Sequence, residues 1–454
     1  MKIRRDLTLC GVARKAEAVF EASAAKIDAL EQNWNPANGS PVFTIEGKYT
    51  SRGWTEWTQG FQFGSAILQF DATEERRFLE MGRTRTVELM AKHLTHTGVH
   101  DHGFNNISTY GNLLRLWHEK RLSSEDWERH FYEVALKCSG AVQAARWSPT
   151  ASGGGYIYSF NGPHSLFVDT IRSLRSLAAA HILGHVLMSE NDRSVSLLSR
   201  LIEHARTTAL YSVYYGEGRD IYDRRGRVAH ECIFNPNDGN FRCPNAQQGY
   251  SAFSTWTRGL AWAMCGFAEQ LEFIEAIGRE DLKEFGGKDG IRKLLLRAAE
   301  AASDFYIENS AADGIPYWDT GAPGLANLGD WREREADPLN EYEPVDSSAA
   351  VIAAQGLLRL GRFLNRGDYW HAGLTIAAAA FDTPYLSTDG RHQGLILHSV
   401  YHRPNGWDHI PQGRKIPCGE ACMWGDYHAL ELALYILRLD RAQPYLTFWS
   451  NLNR

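Results

Sequence analysis

The chain has 454 residues, 44% of them hydrophobic and 22% charged, which suits a large folded core and excludes a disordered chain, a collagen and a coiled coil. Its 48 basic and 54 acidic side chains leave a net charge of −6, the wrong sign for a nucleic-acid binder. No apolar run approaches the roughly 18 residues a membrane helix needs.

From the N-terminus, Lys2, Arg4 and Arg5 precede a stretch that Arg14 and Lys15 interrupt before a hydrophobic region can form, so no signal peptide is expected. Seven scattered cysteines without a CxxC pair suit reduced thiols in a cytoplasm. Helical periodicity marks 13–32, 59–70, 74–93, 105–119, 124–143, 165–186, 193–211, 255–277, 290–307, 346–365, 367–381 and 424–438. Asp71 with Glu74 resembles a capping box, Ser123 and Ser124 precede the fifth segment, and Ser254 or Thr255 can cap the eighth. Brief alternation in PVFTIEG and GGYIYSF predicts only β-hairpins in loops.

About twelve helices with no long linker between them predict one all-α domain over 1–454, a closed toroid of six inner and six outer helices. An open α-solenoid is the competing arrangement, against which stands the lack of a fixed-period repeat. The stretches 212–253, 308–345 and 383–423 are long for connectors and rich in Trp, Tyr, His and Asp, so they are expected to build a site.

Fourteen Trp and nineteen Tyr exceed what a core requires, and many fall in RGWTEWTQGF, GGGYIYSFNGP, GIPYWDTG and RPNGWDHI. Aromatic faces among carboxylates and amides suit a pyranose, with its apolar C–H faces and polar rim. In the helical segment 165–186, Phe167, Ile171, Leu174, Ala178 and Ile182 form an apolar stripe. Asp169 lies opposite with Ser165, Arg172, Ser173 and Ser176, facing either a wet central cavity or bulk solvent. His93, His96, His100, Asp101 and His102 crowd together without an H-E-x-x-H pattern, which disfavours a metal site. Asp101 is a candidate for gripping hydroxyls or for acid/base work, or else a helix cap. Arg258 and Trp262, four residues apart, share a helix face. A guanidinium beside indoles suits a carboxylate-bearing ring, or it pairs with a neighbouring carboxylate for structure.

Taken in order, WTQGF, HDHGF, SLFVDT, QGY…TWTRGLAW, PYWDTG, DSSAAVIAAQGLL, GLILHSVYHRPNG and MWGDYHALELAL resemble glycoside hydrolase family 88, the unsaturated glucuronyl hydrolases. More distantly they resemble the unsaturated rhamnogalacturonyl hydrolases of family 105. The resemblance implies an (α/α)6 barrel and a small acidic oligosaccharide as substrate, with no cofactor and no metal. It makes Asp169 the general acid/base, Asp101 the second carboxylate, His230, Gln248, Arg258 and Trp262 substrate-binding residues, and Trp57 a stacking residue. The implied reaction is hydration of a 4,5-unsaturated uronic acid. Asp101, as a nearby like charge, is expected to keep the Asp169 carboxyl protonated. Leu260 stands where the family commonly has Gln, and His102 where an aliphatic residue is usual. The segments 321–345 and 403–420 are long and are expected to frame the leaving sugar. Three rivals stay open: an exo-glucuronidase on saturated uronides, a sugar 2-epimerase using paired histidines, and a non-catalytic glycan binder. The sequence leaves the leaving sugar and the oligomeric state open.

Overall fold

The computed structural model describes residues 1–53, 56–122, 125–445, 447, 449 and 452. Ser123 and Ser124, read as a helix start, lie outside the described residues, as do Trp54 and Thr55 of the first aromatic connector.

The helices take the apolar periodicity of the sequence at face value. α1 (Leu9–Asn33) starts where the Thr8 hydroxyl accepts from the Gly11 amide, and it buries Val12, Ala16, Val19 and Phe20 along one stripe. There follow α2 (Gln59–Thr73), α3 (Arg76–Leu89), α4 (His102–Asn106, Ile107–Gly111 and Asn112–His118), α5 (Asp126–Ala145) and α6 (Thr170–Ser173 and Arg175–Ile182). The second half holds α7 (Leu197–Tyr211), α8 (Thr257–Ala276), α9 (Gly287–Glu308), α10 (Ser347–Leu364), α11 (Gly367–Ala380) and α12 (Met423–Asp440).

The even-numbered helices pack side by side in a closed ring, α2 on α4, α4 on α6, and so on until α12 returns to α2. The odd-numbered helices pack outside them, making an (α/α)6 barrel. Burial explains which helix goes where. α10 is buried from Ser347 through Gly361: alanines and leucines cover most of it, and its polar side chains Ser348, Gln355 and Arg359 are bonded to Trp424, Arg172 and Glu272 rather than to water. Inner helices approach closely at small residues: a Cβ on Gly356 would come within 2.8 Å of the Cys265 amide on α8.

Strands are short and sit in the connections. β1 (Phe43–Ile45) pairs with β2 (Lys48–Thr50), β3 (Trp147–Pro149) with β4 (Gly155–Ile157), and β6 (Leu187–Ser189) with β7 (Arg193–Val195). β5 (Ser165–Phe167), β8 (Glu231–Phe234) and β9 (Phe241–Asn245) form one antiparallel sheet, with Phe167 opposite Glu231.

Several sequence expectations need correction. Segment 165–186 is not one helix: Ser165–Phe167 is strand, and helix begins only after Asp169. Likewise Arg193–Val195 is strand ahead of α7. Asp71 makes no capping box, because it sits buried in the last turns of α2, bonded to Arg115, Arg121 and Arg438. Neither Ser254 nor Thr255 caps α8; Trp256 occupies the cap position, and the Thr255 hydroxyl accepts from the Val228 amide. Arg172 faces no water. It is fully buried on the barrel axis, paired with Glu269 of α8 and Glu431 of α12.

Candidate active site

A cavity of about 610 Å³ opens at the end of the barrel where the inner helices begin. Trp57 precedes α2, Asp101 α4, Asp169 α6 and Trp256 α8, and all four residues line it. The positive ends of these helix dipoles therefore point toward the cavity, which favours an anionic ligand in a chain of net negative charge.

Asp169 is placed by the β5–β8 pairing, which continues one step further when the Val168 amide donates to the His230 carbonyl at 2.9 Å. Ser165 and Asn161 both bond Glu231, and this fixes the strand from its polar side. Asp101 is placed by a different device. A Cβ on Gly103 would lie 2.1 Å from the Ser173 carbonyl, so only glycine lets α4 start this close to α6. The Ser173 hydroxyl donates to the His100 carbonyl at 2.6 Å and accepts from the Gly103 amide at 3.0 Å, locking the two helix starts together. Asp101 occupies the cap position of α4, yet its carboxylate makes no capping bond.

Between the two carboxylates stands His100. Its Nε2 lies 3.2 Å from Asp169 Oδ1 and 3.8 Å from Asp101 Oδ1. Burial pushes the Asp169 carboxyl up, but the hydrogen bond and charge of His100, with His230 and Arg258 beyond, bring it below the ordinary carboxylate value. Burial holds Asp101 above that value; the His100 charge lowers it and Asp169 raises it. The expectation that Asp101 would keep Asp169 protonated is thus reversed, because the imidazole bonds Asp169 and not Asp101.

An aromatic stack forms one wall. Trp57 lies on Trp424 with centroids 5.1 Å apart and planes at 25°, and the Arg258 guanidinium sits between Trp424 and Trp256, 4.9 and 4.6 Å from their rings. Trp262 lines the cavity and packs on Phe104 and His428. Arg258 is not held free for a ligand. Nη1 donates to Asp346 at 2.8 Å and to the Val400 carbonyl, and Nη2 donates to Gln248 Oε1 at 2.9 Å and to the Tyr401 carbonyl at 2.8 Å. Arg258 nonetheless lines the cavity, so it stands at the wall already anchored by these partners. Gln248 reaches the cavity, oriented by Arg258. His230 stands one layer back, between Phe167 and Trp256 at 4.5 and 4.6 Å. Its Nδ1 accepts from the Gln247 and Gln248 amides, so the ring is neutral with its proton on Nε2, and burial pushes it down to about 3.

The remaining wall comes from Tyr401, His402, Asn405 and Trp407, part of it in the long segment 403–420. Asp408 shapes it by accepting the Tyr401 and His402 amides. No described residue of 321–345 lines the cavity, so that segment does not frame it as expected. The sequence expectation of a site wall in 383–423 agrees with Tyr401, His402, Asn405 and Trp407, but neither these residues nor Phe160 are singled out by the sequence, and His100 enters it only in a histidine cluster. The aromatic connectors GGGYIYSFNGP and RPNGWDHI were the signal that could have found Phe160 and Trp407.

No family model matches the chain. Over 407 residues it is 27% identical to an unsaturated glucuronyl hydrolase of Bacillus sp. strain GL1, a match covering 87% of this chain and 89% of that one. Over 378 residues it is 24% identical to an unsaturated glucuronyl hydrolase of Formosa agariphila, covering 83% and 78%. The crystal structure of the Bacillus sp. GL1 enzyme superposes with a TM-score of 0.70 at 22% identity, covering 96% of this chain and 98% of that one. The barrel agrees with these relatives, and the chain is similar to the unsaturated glucuronyl hydrolases, the glycoside hydrolase family 88 type that its motifs resemble.

Proposed function

We propose that the chain acts as one catalytic unit that removes the 4,5-unsaturated uronic acid residue from the non-reducing end of lyase-generated oligosaccharides, releasing it as a saturated keto acid, with Asp169 as the acid. The observation that carries this reading is the sharing of one imidazole nitrogen by Asp101 and Asp169. Displacement at an anomeric carbon needs two carboxyl groups on either side of the sugar. Here both carboxylates lie within 4 Å of the same His100 nitrogen, which groups them into one proton-transfer centre beside an aromatic cavity.

A 4,5-unsaturated uronate is a vinyl ether and needs one such centre. Asp169 protonates C4, and positive charge develops at C5 and the ring oxygen. Water adds to C5 and returns its proton to Asp169. The hemiketal at C5 opens to a ketone, leaving at C1 a hemiacetal that breaks down to an aldehyde and the free leaving sugar. Positioned proton transfer of this kind supplies about 10²–10⁴-fold. Trp57 and Trp262 offer faces to the sugar ring, Asp101 and Gln248 hold hydroxyls, and Arg258 and His230 hold Gln248 in place. No described helix is long and apolar enough to cross a membrane, and all seven cysteines are free thiols, which supports work in a reducing cytoplasm on short oligosaccharides.

The conjugated enol ether absorbs in the ultraviolet and hydration abolishes that band. Unsaturated disaccharides from glycosaminoglycan, pectin and alginate lyases, offered in parallel, should lose absorbance with the wild-type enzyme and not with Asp169→Asn. No loss on any of them would overturn the reading.

A further inference from the structure

The His100 ring is held more firmly than a bystander would require. It lies near-parallel to Phe160, with centroids 6.0 Å apart and planes at 22°, and meets Phe167 edge-on at 5.4 Å. Its carbonyl accepts from Gln143 Nε2 at 2.8 Å and from the Ser173 hydroxyl. Nδ1 is buried and has no hydrogen-bond partner among the described residues, so Nε2 makes the ring's polar contacts, and both are carboxylates.

We propose that His100 is a positioning residue for hydration: it orients Asp169 through Nε2 and stores the proton that Asp169 delivers to C4. This rests on the reading of Asp169 as the acid. In the resting site an imidazolium stands between two carboxylates. Its Nε2 proton passes to Asp169 Oδ1 and from there to C4, where the C4=C5 electron pair forms the new C–H bond. Water bonds to C5, its proton goes to Asp169, and Asp169 returns it to Nε2. One water is consumed and the site ends with the proton it began with.

The charged groups around the ring agree with this. Arg146, at the end of α5, opposes an imidazolium, while Asp101 and Asp169 favour it. Burial lowers the ring, and the two carboxylates more than offset that, so His100 holds its proton above the usual histidine range. The other histidines nearby do not compete for it: burial pushes His204 on α7 and His230 to about 3, and His102 to about 4.

His100→Gln is the test, because an amide nitrogen can donate to Asp169 but cannot store a proton. Its kcat should fall by about 10²-fold, with KM within about threefold of wild type. The alkaline limb of the pH–rate profile should also move to lower pH, since the proton would then reside on a carboxyl group. A kcat loss with the limb unmoved, or a wild-type kcat, overturns the proposal. Turnover by wild type and its absence in Asp169→Asn are measured separately, so a failure of the function reading is distinguishable from a failure here. Ring ¹⁵N spectra of the wild-type enzyme give an answer that does not depend on the variant folding. One histidine should titrate above about 6.5 and drop in Asp169→Asn; no such histidine overturns the proposal.

Discussion

Arg258 Nη1 lies 2.8 Å from Asp346 Oδ2, and both side chains are buried, so the arginine at the cavity wall is anchored to the start of α10. The same Asp346 carboxylate caps α10 through the Ser348 and Ala349 amides. Removing one partner of a buried pair strands the other, at a cost of about 3–5 kcal/mol. Arg258→Met is therefore expected to lower unfolding free energy by about that amount and to reduce kcat/KM as Gln248 loses its support. Denaturant unfolding checks it. A variant of wild-type stability with only a raised KM would mean that Arg258 is a free substrate clamp.

The spacing of the two carboxylates depends on a residue without a side chain. A Cβ at position 103 would meet the Ser173 carbonyl at 2.1 Å, so Gly103→Ala must part α4 from α6. Overpacking of this kind costs about 1–3 kcal/mol. It would also pull His100 and Asp101 away from Asp169. A fall in kcat of more than about tenfold is expected, because a misplacement of about 1 Å is enough for such losses. A fully active alanine variant would show that the spacing is not critical.

The two carboxylates should respond oppositely to amide substitution. Asp101 is held above its unfolded value, so folding stability falls as pH rises through its folded value. Asp101→Asn should accordingly raise the unfolding temperature at pH 7 while lowering activity. Asp169 is held below its unfolded value, so its contribution is present above that value and is lost as pH falls through the folded one. Asp169→Asn should lower the unfolding temperature at pH 7. Thermal unfolding of both variants decides it, and a fall for the first or a rise for the second would contradict the charge arrangement.

The twelve barrel helices among the described residues were legible because each carries a buried stripe over ten or more residues, the length at which periodicity speaks. Strand β5 was not: three residues are too few to show alternation, and the apolar spacing of SLFVDTI fits a helix as well as a strand. Its strand character comes from pairing with β8, far along the chain. Trp57, Asp101, Asp169, Gln248, Arg258 and Trp262 line one cavity. The partners that set their states were hidden. Nothing local shows that the His100 ring turns to a carboxylate 69 positions on, that Arg258 pairs with Asp346, or that Arg172 meets Glu269 and Glu431. Such ion pairs join different helices across the barrel and have no spacing signature.

Hydration across C4=C5, and not displacement at the anomeric carbon, is the proposed chemistry of this site. The most direct measurement is turnover of an unsaturated uronyl disaccharide in deuterated water, followed by nuclear magnetic resonance of the released acid. Hydration puts deuterium at C4 and removes the C4=C5 double bond, with neither in Asp169→Asn. Release of a uronic acid that keeps its double bond and carries no deuterium at C4 would contradict it.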